Sequence, residues 1–156
     1  MIHSLNKEER NILRLAERRL AEAGHRVTAP RRAVLANIAL QGNTFTAADL
    51  IEAFKSTPSV GRATIFRTIE LLVDIHLLER VHLEASGASG SAYVLCGLGD
   101  THHHHTVCTQ CGTVSDLEGC FLDGRRLRGL SAASSFRVDD HHLELYGLCG
   151  KCQQSA

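Results

Sequence analysis

Two pairs of cysteines have the type and spacing that suit a metal site: Cys108 with Cys111, and Cys149 with Cys152. Each Cys-x-x-C can place two thiolates on one cation across a tight turn, and four thiolates complete the closed tetrahedron of a structural zinc site. The alternative, a redox dithiol, usually uses one such pair between a strand and a helix. The spacing therefore predicts a structural Zn²⁺ held by four thiolates, whereas Cys120 has no spaced partner and is interpreted as a small buried residue.

Four consecutive histidines precede the first pair, in the stretch THHHHTVCTQCG. The β-branched residues around them favour a strand, and successive side chains of a strand point to opposite faces. His102 and His104 are then expected on one face, and His103 and His105 on the other. One stretch of chain can thus serve two metal sites.

Each histidine pair needs further ligands, and the sequence offers several. A solvated histidine tract with no role is the alternative, which these additional ligands disfavour. They are Cys96 at the end of one β-like run, Glu79 or His82 on the run before it, Asp123 on a predicted helix, and His141 or His142 at the start of the last predicted strand.

Helix-start signals and apolar spacing predict four helices in the first 74 residues. Two β-like runs, LLERVHL and SAYVLC, follow and are joined by the Gly/Ser-rich EASGASG. Short helices followed by a hairpin predict a winged helix-turn-helix. The predicted helices are Lys7–Ala23, capped by Asn6 with Glu9 completing a capping box, one that begins at Thr28, one that begins at Thr46 with Asp49 in its first turn, and Gly61–Asp74, which buries Ile65, Ile69, Leu72 and Val73.

Beyond Cys96 the pattern changes to three short strand-like segments, THHHHTVC, GTVSDL and HLELYGLC, with a predicted helix at Leu122–Leu130. They predict a small α/β module with a three-stranded sheet and a Cys-x-x-C at two strand ends. The predicted fold class is therefore α+β, with a winged-helix domain over residues 1–95, a hinge at 96–100 and a metal-binding domain over 101–156.

Composition and charge restrict the class of protein. A content of 44% hydrophobic and 22% charged residues is typical of a globular chain. No apolar run approaches the ~18 residues of a membrane span, and the charged N-terminus lacks a signal peptide, so we expect the cytoplasm, where thiols stay reduced. Residues 1–67 carry eleven Lys/Arg against six Asp/Glu, and the remainder reverses these counts. This asymmetry favours a front half that faces nucleic acid and a rear half that binds cations.

The segments RVTAPRRAVL, ATIFRTIELL, HHHHTVCTQCG and HLELYGLCGKC together resemble the ferric uptake regulator family of bacterial metal-dependent repressors. The resemblance covers most of the chain from about Arg26 onward. It implies an N-terminal winged-helix domain that binds double-stranded operator DNA and a C-terminal domain that forms a homodimer. The implied function is metal-responsive repression of metal-homeostasis genes from palindromic operators.

The same resemblance implies three sets of metal ligands. Each ligand is assigned by matching a motif position of the family to a residue of this sequence. Two extra residues separate Cys96 from the histidines and the hairpin tip is long, so His82 stays a rival to Glu79. The implied sets are Cys108, Cys111, Cys149 and Cys152 for structural zinc, Glu79, Cys96, His103 and His105 for an interdomain regulatory site, and His102, His104, Asp123 and His141 for a second site in the dimerisation domain.

The regulatory set resembles that of zinc-sensing members of the family. Iron- and peroxide-sensing members commonly have a ligating His before the third helix, where this sequence has Thr44. A thiolate with two imidazoles and a carboxylate makes a borderline-soft tetrahedral site that suits Zn²⁺, whereas Mn²⁺ prefers oxygen-rich ligation. Zinc is therefore the expected signal, and sensing of Fe²⁺, Mn²⁺ or peroxide is the alternative.

The resemblance also indicates which residues contact DNA. The family's recognition helix commonly has a Tyr before its Arg, whereas here Phe66 precedes Arg67, and its ring can still pack on a thymine methyl. Arg31 matches a phosphate-contacting position, and Arg32 nearby is either a further backbone contact or an ordinary surface residue. The expected DNA-binding residues are Arg26, Arg31, Arg62, Thr64, Phe66 and Arg67.

Two classes of enzyme or redox protein are disfavoured. A zinc hydrolase needs an open coordination position and a general base, but the sequence has no H-E-x-x-H, and hydrolysis would leave the basic helical half unexplained. A thiol redox protein would be excluded by a tightly bound stoichiometric zinc. The sequence therefore predicts a regulator without enzymatic activity.

Overall fold

The computed structural model describes residues 5–42, 44–85, 88–96, 103–139 and 141–155, with the side chains of 84, 85, 88 and 89 left aside. The chain divides into two compact units. Unit 1 comprises Met1–Leu83 and Ser89–Gly99, and unit 2 comprises Glu84–Ala88 and Asp100–Ala156. Among the described residues, no helix has the length and apolar character needed to cross a membrane.

Unit 1 contains four helices, and side-chain caps fix where most of them begin. Asn6 and Glu9 form a reciprocal capping box, and Thr46 and Asp49 form another. The Thr28 hydroxyl accepts from the backbone amide of Arg31. Such caps satisfy amides that have no partner inside the helix. The helices are α1 (Lys7–Glu22), α2 (Ala29–Gln41), α3 (Ala47–Ala53) and α4 (Arg62–Asp74).

The apolar stripes of these helices meet in one core. Leu20 of α1, Leu35 of α2, Leu50 of α3 and Ile65 of α4 are each at most 2% exposed. Burying a side chain of this size stabilises the fold by roughly 1.5–3 kcal/mol. The stripe predicted for α4 is found as expected for Ile65, Ile69 and Leu72, while Val73 packs partly buried against the same core.

A three-stranded sheet completes unit 1, in the order β1-β3-β2. Its strands are β1 (Thr44–Thr46), β2 (Leu78–Ala85) and β3 (Ala88–Leu95). The sequence predicted the hairpin of β2 and β3 but not β1, which pairs antiparallel with β3 through Phe45 opposite Tyr93. The strands also extend into the segment EASGASG that was expected to be a loop; residues 86 and 87 between them lie outside the described part of the chain.

Unit 2 contains a second three-stranded sheet, in the order β5-β4-β6. The central strand β4 pairs antiparallel with β5 and parallel with β6. Because parallel neighbours need a long crossover, a helix between β5 and β6 suits this order. The elements are β4 (His103–Cys108), β5 (Val114–Glu118), α5 (Gly124–Ser134), β6 (Glu144–Gly147) and a short α6 (Gly150–Gln153).

The predicted fold class, α+β with a helical N-terminal part and a small three-stranded module, is confirmed. Helix α5 begins two residues after the predicted start and continues to Ser134, because Asp123 is its N-cap rather than a residue inside it. Of the predicted hinge, residues 96–100, the structure describes Cys96 alone.

Candidate metal centres and DNA-facing helix

The four cysteines of the two Cys-x-x-C pairs come together in unit 2. Their sulfur atoms all lie within 4.8 Å of one another, and the Sγ atoms of Cys111 and Cys149 are 3.7 Å apart. Four sulfurs at ~2.3 Å around one Zn²⁺ are about 3.8 Å from each other in a regular tetrahedron. The geometry and the donor set therefore fit a closed structural zinc site.

Strand pairing in unit 2 explains how two cysteine pairs separated by 37 intervening residues reach one site. Cys108 ends β4 beside Gly147 of the parallel strand β6, and the amide of Thr109 donates to the carbonyl oxygen of Gly147 at 2.8 Å. The chain leaves both strands in tight turns, one of which contains Gly112 with φ of 72°. Cys149 then caps α6, and Cys152 lies within it.

Hydrogen bonds make the four thiols unequal. The amide of Cys149 donates to Cys108 Sγ at 3.3 Å, and this bond, helped by the amide of Cys111, lowers the pKa of the Cys108 thiol to about 6. The Thr113 side chain lowers the pKa of Cys111. The pKa of Cys152 is raised to about 12 because its thiol hydrogen bonds to the Cys149 sulfur and burial adds to the effect. A cation that binds all four sulfurs must therefore displace protons.

The described histidines of β4 alternate between the two faces of the strand. The rings of His103 and His105 lie 5.0 Å apart at an interplanar angle of 85°, whereas His104 lies beside His141, with 5.2 Å between their ring centroids. His104 and His105 are both almost fully buried. His102, predicted to accompany His104, lies outside the described residues.

Two residues of the predicted regulatory set, Glu79 and Cys96, belong to unit 1, and the other two, His103 and His105, belong to unit 2. In unit 1, Cys96 is buried after β3, and its Sγ lies 3.7 Å from Glu79 Oε2 on β2. In unit 2, His105 Nδ1 lies 3.4 Å from Oδ1 of Asp116, its partner across the β4–β5 pair. A carboxylate beside an imidazole stabilises positive charge there, whether from a proton or from a metal. His82, the rival of Glu79, is exposed on the same strand.

The second set predicted for the dimerisation domain is brought together only in part among the described residues. His104 and His141 come together with Cys120, all ligand atoms lying within 4.8 Å of one another, and Cys120 Sγ is 3.0 Å from His141 Nε2. Asp123 is not in this group: its Oδ1 accepts the amide of Arg126 at 2.8 Å and caps α5. The interpretation of Cys120 as an ordinary small residue missed its position beside two histidines. The signal in the sequence was a cysteine outside the quartet only three positions from the expected acidic ligand.

Helix α4 presents a polar face with one aromatic side chain. Arg62 and Arg67 are exposed, Phe66 is 44% exposed and Thr64 is half-buried, while the opposite face of the helix is in the core. The hydroxyl of the buried Thr68, on the core side of the helix, donates to the backbone carbonyl oxygen of Thr64 at 2.7 Å and so has a partner within the helix. This arrangement fits a helix that enters a DNA groove.

The arginines before and within α2 differ in their partners. The Arg31 guanidinium donates to the backbone carbonyl oxygen of Arg26, which holds the Arg31 side chain against the segment that precedes the helix. Arg32 forms an ion pair with Glu17 of α1. The ion pair favours the interpretation of Arg32 as a surface residue, and leaves Arg26 and Arg31 as the cations for a phosphate.

Comparison with known proteins gives the family. A family model described as the ferric uptake regulator family matches residues 22–146. The ferric uptake regulation protein of Bacillus subtilis is 32% identical over 99 residues, which are 63% of this chain and 64% of that protein. That of Legionella pneumophila is 29% identical over 136 residues, covering 86% of this chain and 96% of that protein.

A solved structure supports the same fold. The zinc uptake regulator complexed with zinc and DNA superimposes with a TM-score of 0.73, at 24% identity, over 96% of this chain and 98% of that chain. Because the family model covers most of the sequence, the assignment does not depend on this likeness. The chain belongs to the ferric uptake regulator family, whose members are metal-responsive transcription regulators that bind operator DNA as dimers and are not enzymes.

Proposed function

We propose that this protein is a zinc-responsive repressor of metal-homeostasis genes, which binds palindromic operator DNA as a homodimer when its regulatory site is loaded. The observation that carries the proposal is the pairing of a buried thiol with a carboxylate, Cys96 with Glu79, in the DNA-binding part of the chain. With His103 and His105 of β4 they would make an S/N/O ligand set. We expect it to act in the cytoplasm, where chromosomal operators are.

The chemistry of the ligands favours zinc as the signal. A thiolate and two imidazoles are soft or borderline donors that suit Zn²⁺, whereas Mn²⁺ prefers oxygen ligands and a thiolate is unusual for Fe²⁺ sensing. The proximity of Glu79 to Cys96 favours Glu79 over His82 as the fourth ligand. Fe²⁺, Mn²⁺ and peroxide sensing remain the alternative signals within the family.

The cysteine quartet has a different proposed role, in structure rather than sensing. Its four thiolates leave no coordination position for a substrate or signal. Cys108 ends β4 and Cys111 lies in the turn after it, while Cys149 and Cys152 follow β6, so a metal there would join the central strand to an edge strand of the sheet. We therefore expect Zn²⁺ in the quartet to contribute directly to the folding of unit 2.

Exposed apolar side chains support a homodimer formed through unit 2. Monomeric proteins rarely expose many large apolar residues in one small region. Unit 2 exposes Phe121, Leu130, Phe136, Leu145, Tyr146 and Leu148, with Phe136 at 73%.

DNA recognition is proposed to use two groups of side chains in unit 1. Arg26 and Arg31 supply sequence-independent contacts to phosphates. Arg62, Thr64, Phe66 and Arg67 on the outer face of α4 reach base edges in the major groove, where an arginine can bind a guanine through two hydrogen bonds. In a dimer, two such helices must reach half-sites one helical turn apart.

The proposed mechanism is a shift between DNA-competent and incompetent arrangements of the dimer. Zinc, when bound, would supply the cation that Glu79, Cys96, His103 and His105 share. Holding those four side chains together restricts the orientation of α4 to the one that fits both half-sites. Moving such an equilibrium from mostly incompetent to mostly competent takes about 5 kcal/mol of differential binding.

Titration of a dimer whose regulatory site holds no metal with Zn²⁺, Fe²⁺ or Mn²⁺ tests the proposal. We expect Zn²⁺ to raise operator affinity at lower free concentration than Fe²⁺ or Mn²⁺, measured by fluorescence anisotropy of labelled operator DNA under buffered metal. Activation by Fe²⁺ or Mn²⁺ alone would contradict zinc sensing. Loss of operator binding upon peroxide treatment, with oxidised histidine in the mass spectrum, would identify a peroxide sensor instead.

A further inference from the structure

Three metal-ligating side chains meet in unit 2 apart from the quartet and the regulatory set. His104 of β4 is 2% exposed, its ring lies beside that of His141, and Cys120 Sγ approaches His141 Nε2 to 3.0 Å. The three ligand atoms lie within 4.8 Å of one another. The side chains come from β4, the turn after β5 and the segment before β6, so the sheet of unit 2 brings them together.

The acidic residue expected at this site serves another purpose. Asp123 Oδ1 accepts the backbone amide of Arg126 in the first turn of α5, and as N-cap it satisfies one of the amides that the helix leaves without a partner. A carboxylate that turned away to bind a metal would lose this bond. Cys120 has its sulfur beside His141 without any such competing role in a helix cap.

We propose that Cys120 binds a zinc ion as a thiolate, together with His104 and His141, in place of a carboxylate from Asp123. The thiol releases its proton to solvent as the S–Zn bond forms, and both histidines bind as neutral imidazoles. The three side chains leave one position of the tetrahedron for a water molecule or a fourth side chain.

The sulfur ligand determines which cations the site accepts. One thiolate and two imidazoles favour Zn²⁺, and Co²⁺ as its spectroscopic substitute, over the oxygen-preferring Mn²⁺. A site made from two histidines and a carboxylate would discriminate less. The proposal does not rest on the regulatory function, because neither DNA nor the Cys96 set takes part in it.

Cobalt spectroscopy of the full-length protein tests the sulfur ligand directly. In Cys96→Ser protein whose quartet holds zinc, five of the six cysteines remain and Cys120 is the one outside the quartet. We expect one equivalent of Co²⁺ to produce a thiolate-to-cobalt charge-transfer band. A further Cys120→Ser change should remove the band, while the zinc content and circular dichroism of the protein stay the same.

Asp123→Asn is the matched control, because asparagine also caps helices but no longer offers a carboxylate. We expect the band to persist in Cys96→Ser/Asp123→Asn protein. An equally strong band in Cys96→Ser/Cys120→Ser protein would overturn the proposal, as would its loss in the Asp123→Asn variant alone.

The rate at which Cys120 is alkylated provides a second readout. Peptide mass spectrometry measures it, first in the wild-type protein and then in two histidine variants. We expect added Zn²⁺ to slow alkylation at Cys120 at least tenfold. His141→Ala should restore the metal-free rate, whereas alanine at the neighbouring exposed His142 should leave the protection in place. Protection that is equal in the two histidine variants would contradict coordination by His141.

Discussion

At the scale of single residues, successive side chains of strand β4 point to opposite faces and so belong to different proposed ligand sets. His103 and His105 share one face, while His104 faces His141, and Cys108 ends the same strand in the quartet. Neighbouring residues of a strand are 3.3 Å apart along it but point in opposite directions. Substitutions one position apart in β4 are therefore expected to have separable effects on regulation, on the Cys120 site and on folding.

Cys96→Ser is expected to abolish zinc-dependent operator binding while the dimer stays folded. The variant removes the one soft donor of the regulatory set, and Cys96 contributes little bulk to the core. Operator affinity as a function of buffered zinc, with circular dichroism and sedimentation as checks, measures the effect. Unchanged zinc dependence would remove Cys96 from the regulatory site.

Glu79→Gln and His82→Gln together decide the remaining ligand. The Glu79 carboxylate lies beside the Cys96 sulfur, so the glutamine variant is expected to weaken zinc activation at least tenfold, since loss of even an outer partner of a ligand typically costs 10–100-fold. His82→Gln should retain wild-type activation. The reverse order in a zinc titration would assign the site to His82.

Cys108→Ser is expected to prevent stable folding of unit 2, because binding free energy at a structural zinc site is folding free energy. The amide of Cys149 would then face a neutral hydroxyl in place of the Cys108 thiolate that it stabilises. Zinc content and thermal unfolding measure this. Cys120→Ser, which also removes one thiol but leaves the quartet complete, is the matched control and should keep the fold of unit 2 and the zinc of the quartet. A well-folded, zinc-free Cys108→Ser dimer would contradict the structural role.

The limits of sequence reasoning at this scale are visible around Cys120. The quartet and the alternation of the histidines follow from spacing and strand geometry, and both agree with the arrangement found. The choice between Cys120 and Asp123 depends instead on where α5 begins, since the N-cap of a helix uses its side chain for backbone amides. Competing local hydrogen bonds determine where a helix begins. When the acidic residue serves as the N-cap, a residue three positions away can lie where the acidic ligand was expected.

At the scale of elements, capping signals were the most reliable guide. The capping box of Asn6 and Glu9 was predicted from sequence and is present, and the helix expected to start at Thr46 has that residue as its N-cap, because a cap and its partner are only three residues apart. Strand β1 was not predicted, because three residues form a strand only through pairing with β3, about 48 positions later. The family, the fold class and the class of function were predicted correctly, because the motifs that indicate them lie on helices and strands alike.

Thr46→Ala is expected to destabilise unit 1 by about 1 kcal/mol, the usual cost of removing an N-cap. Its hydroxyl and backbone amide both bond to Asp49 in the first turn of α3. Chemical denaturation measures the change in the free energy of unfolding. Ser59→Ala, at an exposed position between α3 and α4, is the control and should change stability by less than about 0.5 kcal/mol. Equal effects of the two changes would contradict the importance of the cap.

Arg67→Ala is expected to weaken operator binding by roughly 1–3 kcal/mol and to change nonspecific DNA binding less. The side chain is on the exposed face of α4 beside Phe66, where a base contact would depend on sequence. Anisotropy with operator and scrambled duplexes measures both affinities. Lys55→Ala removes a cation that already pairs with Glu52 and should leave specificity unaltered. A uniform loss in the Arg67 variant would make it a phosphate contact.

At the scale of the whole molecule, charge and ligands are divided between two units. The side chains proposed to contact DNA lie in unit 1, while the cysteine quartet and the histidines of β4 that are proposed as metal ligands lie in unit 2. A signal in one unit can act on the other only if the two binding events share free energy. The proposed regulatory set is the means, since it takes two ligands from each unit.

Shared free energy must act in both directions, so operator DNA is expected to tighten zinc binding at the regulatory site by the same factor as zinc tightens operator binding. For a shift of about 5 kcal/mol, both factors approach four orders of magnitude. Competition for zinc between the dimer and a chelator of known affinity, with and without saturating operator, measures the first factor. Scrambled DNA should have a much smaller effect, and Cys96→Ser protein none. If the operator left zinc affinity at the regulatory site unchanged while zinc still raised operator affinity, the activating zinc would bind somewhere other than the Cys96 site. The proposed mechanism would then be wrong.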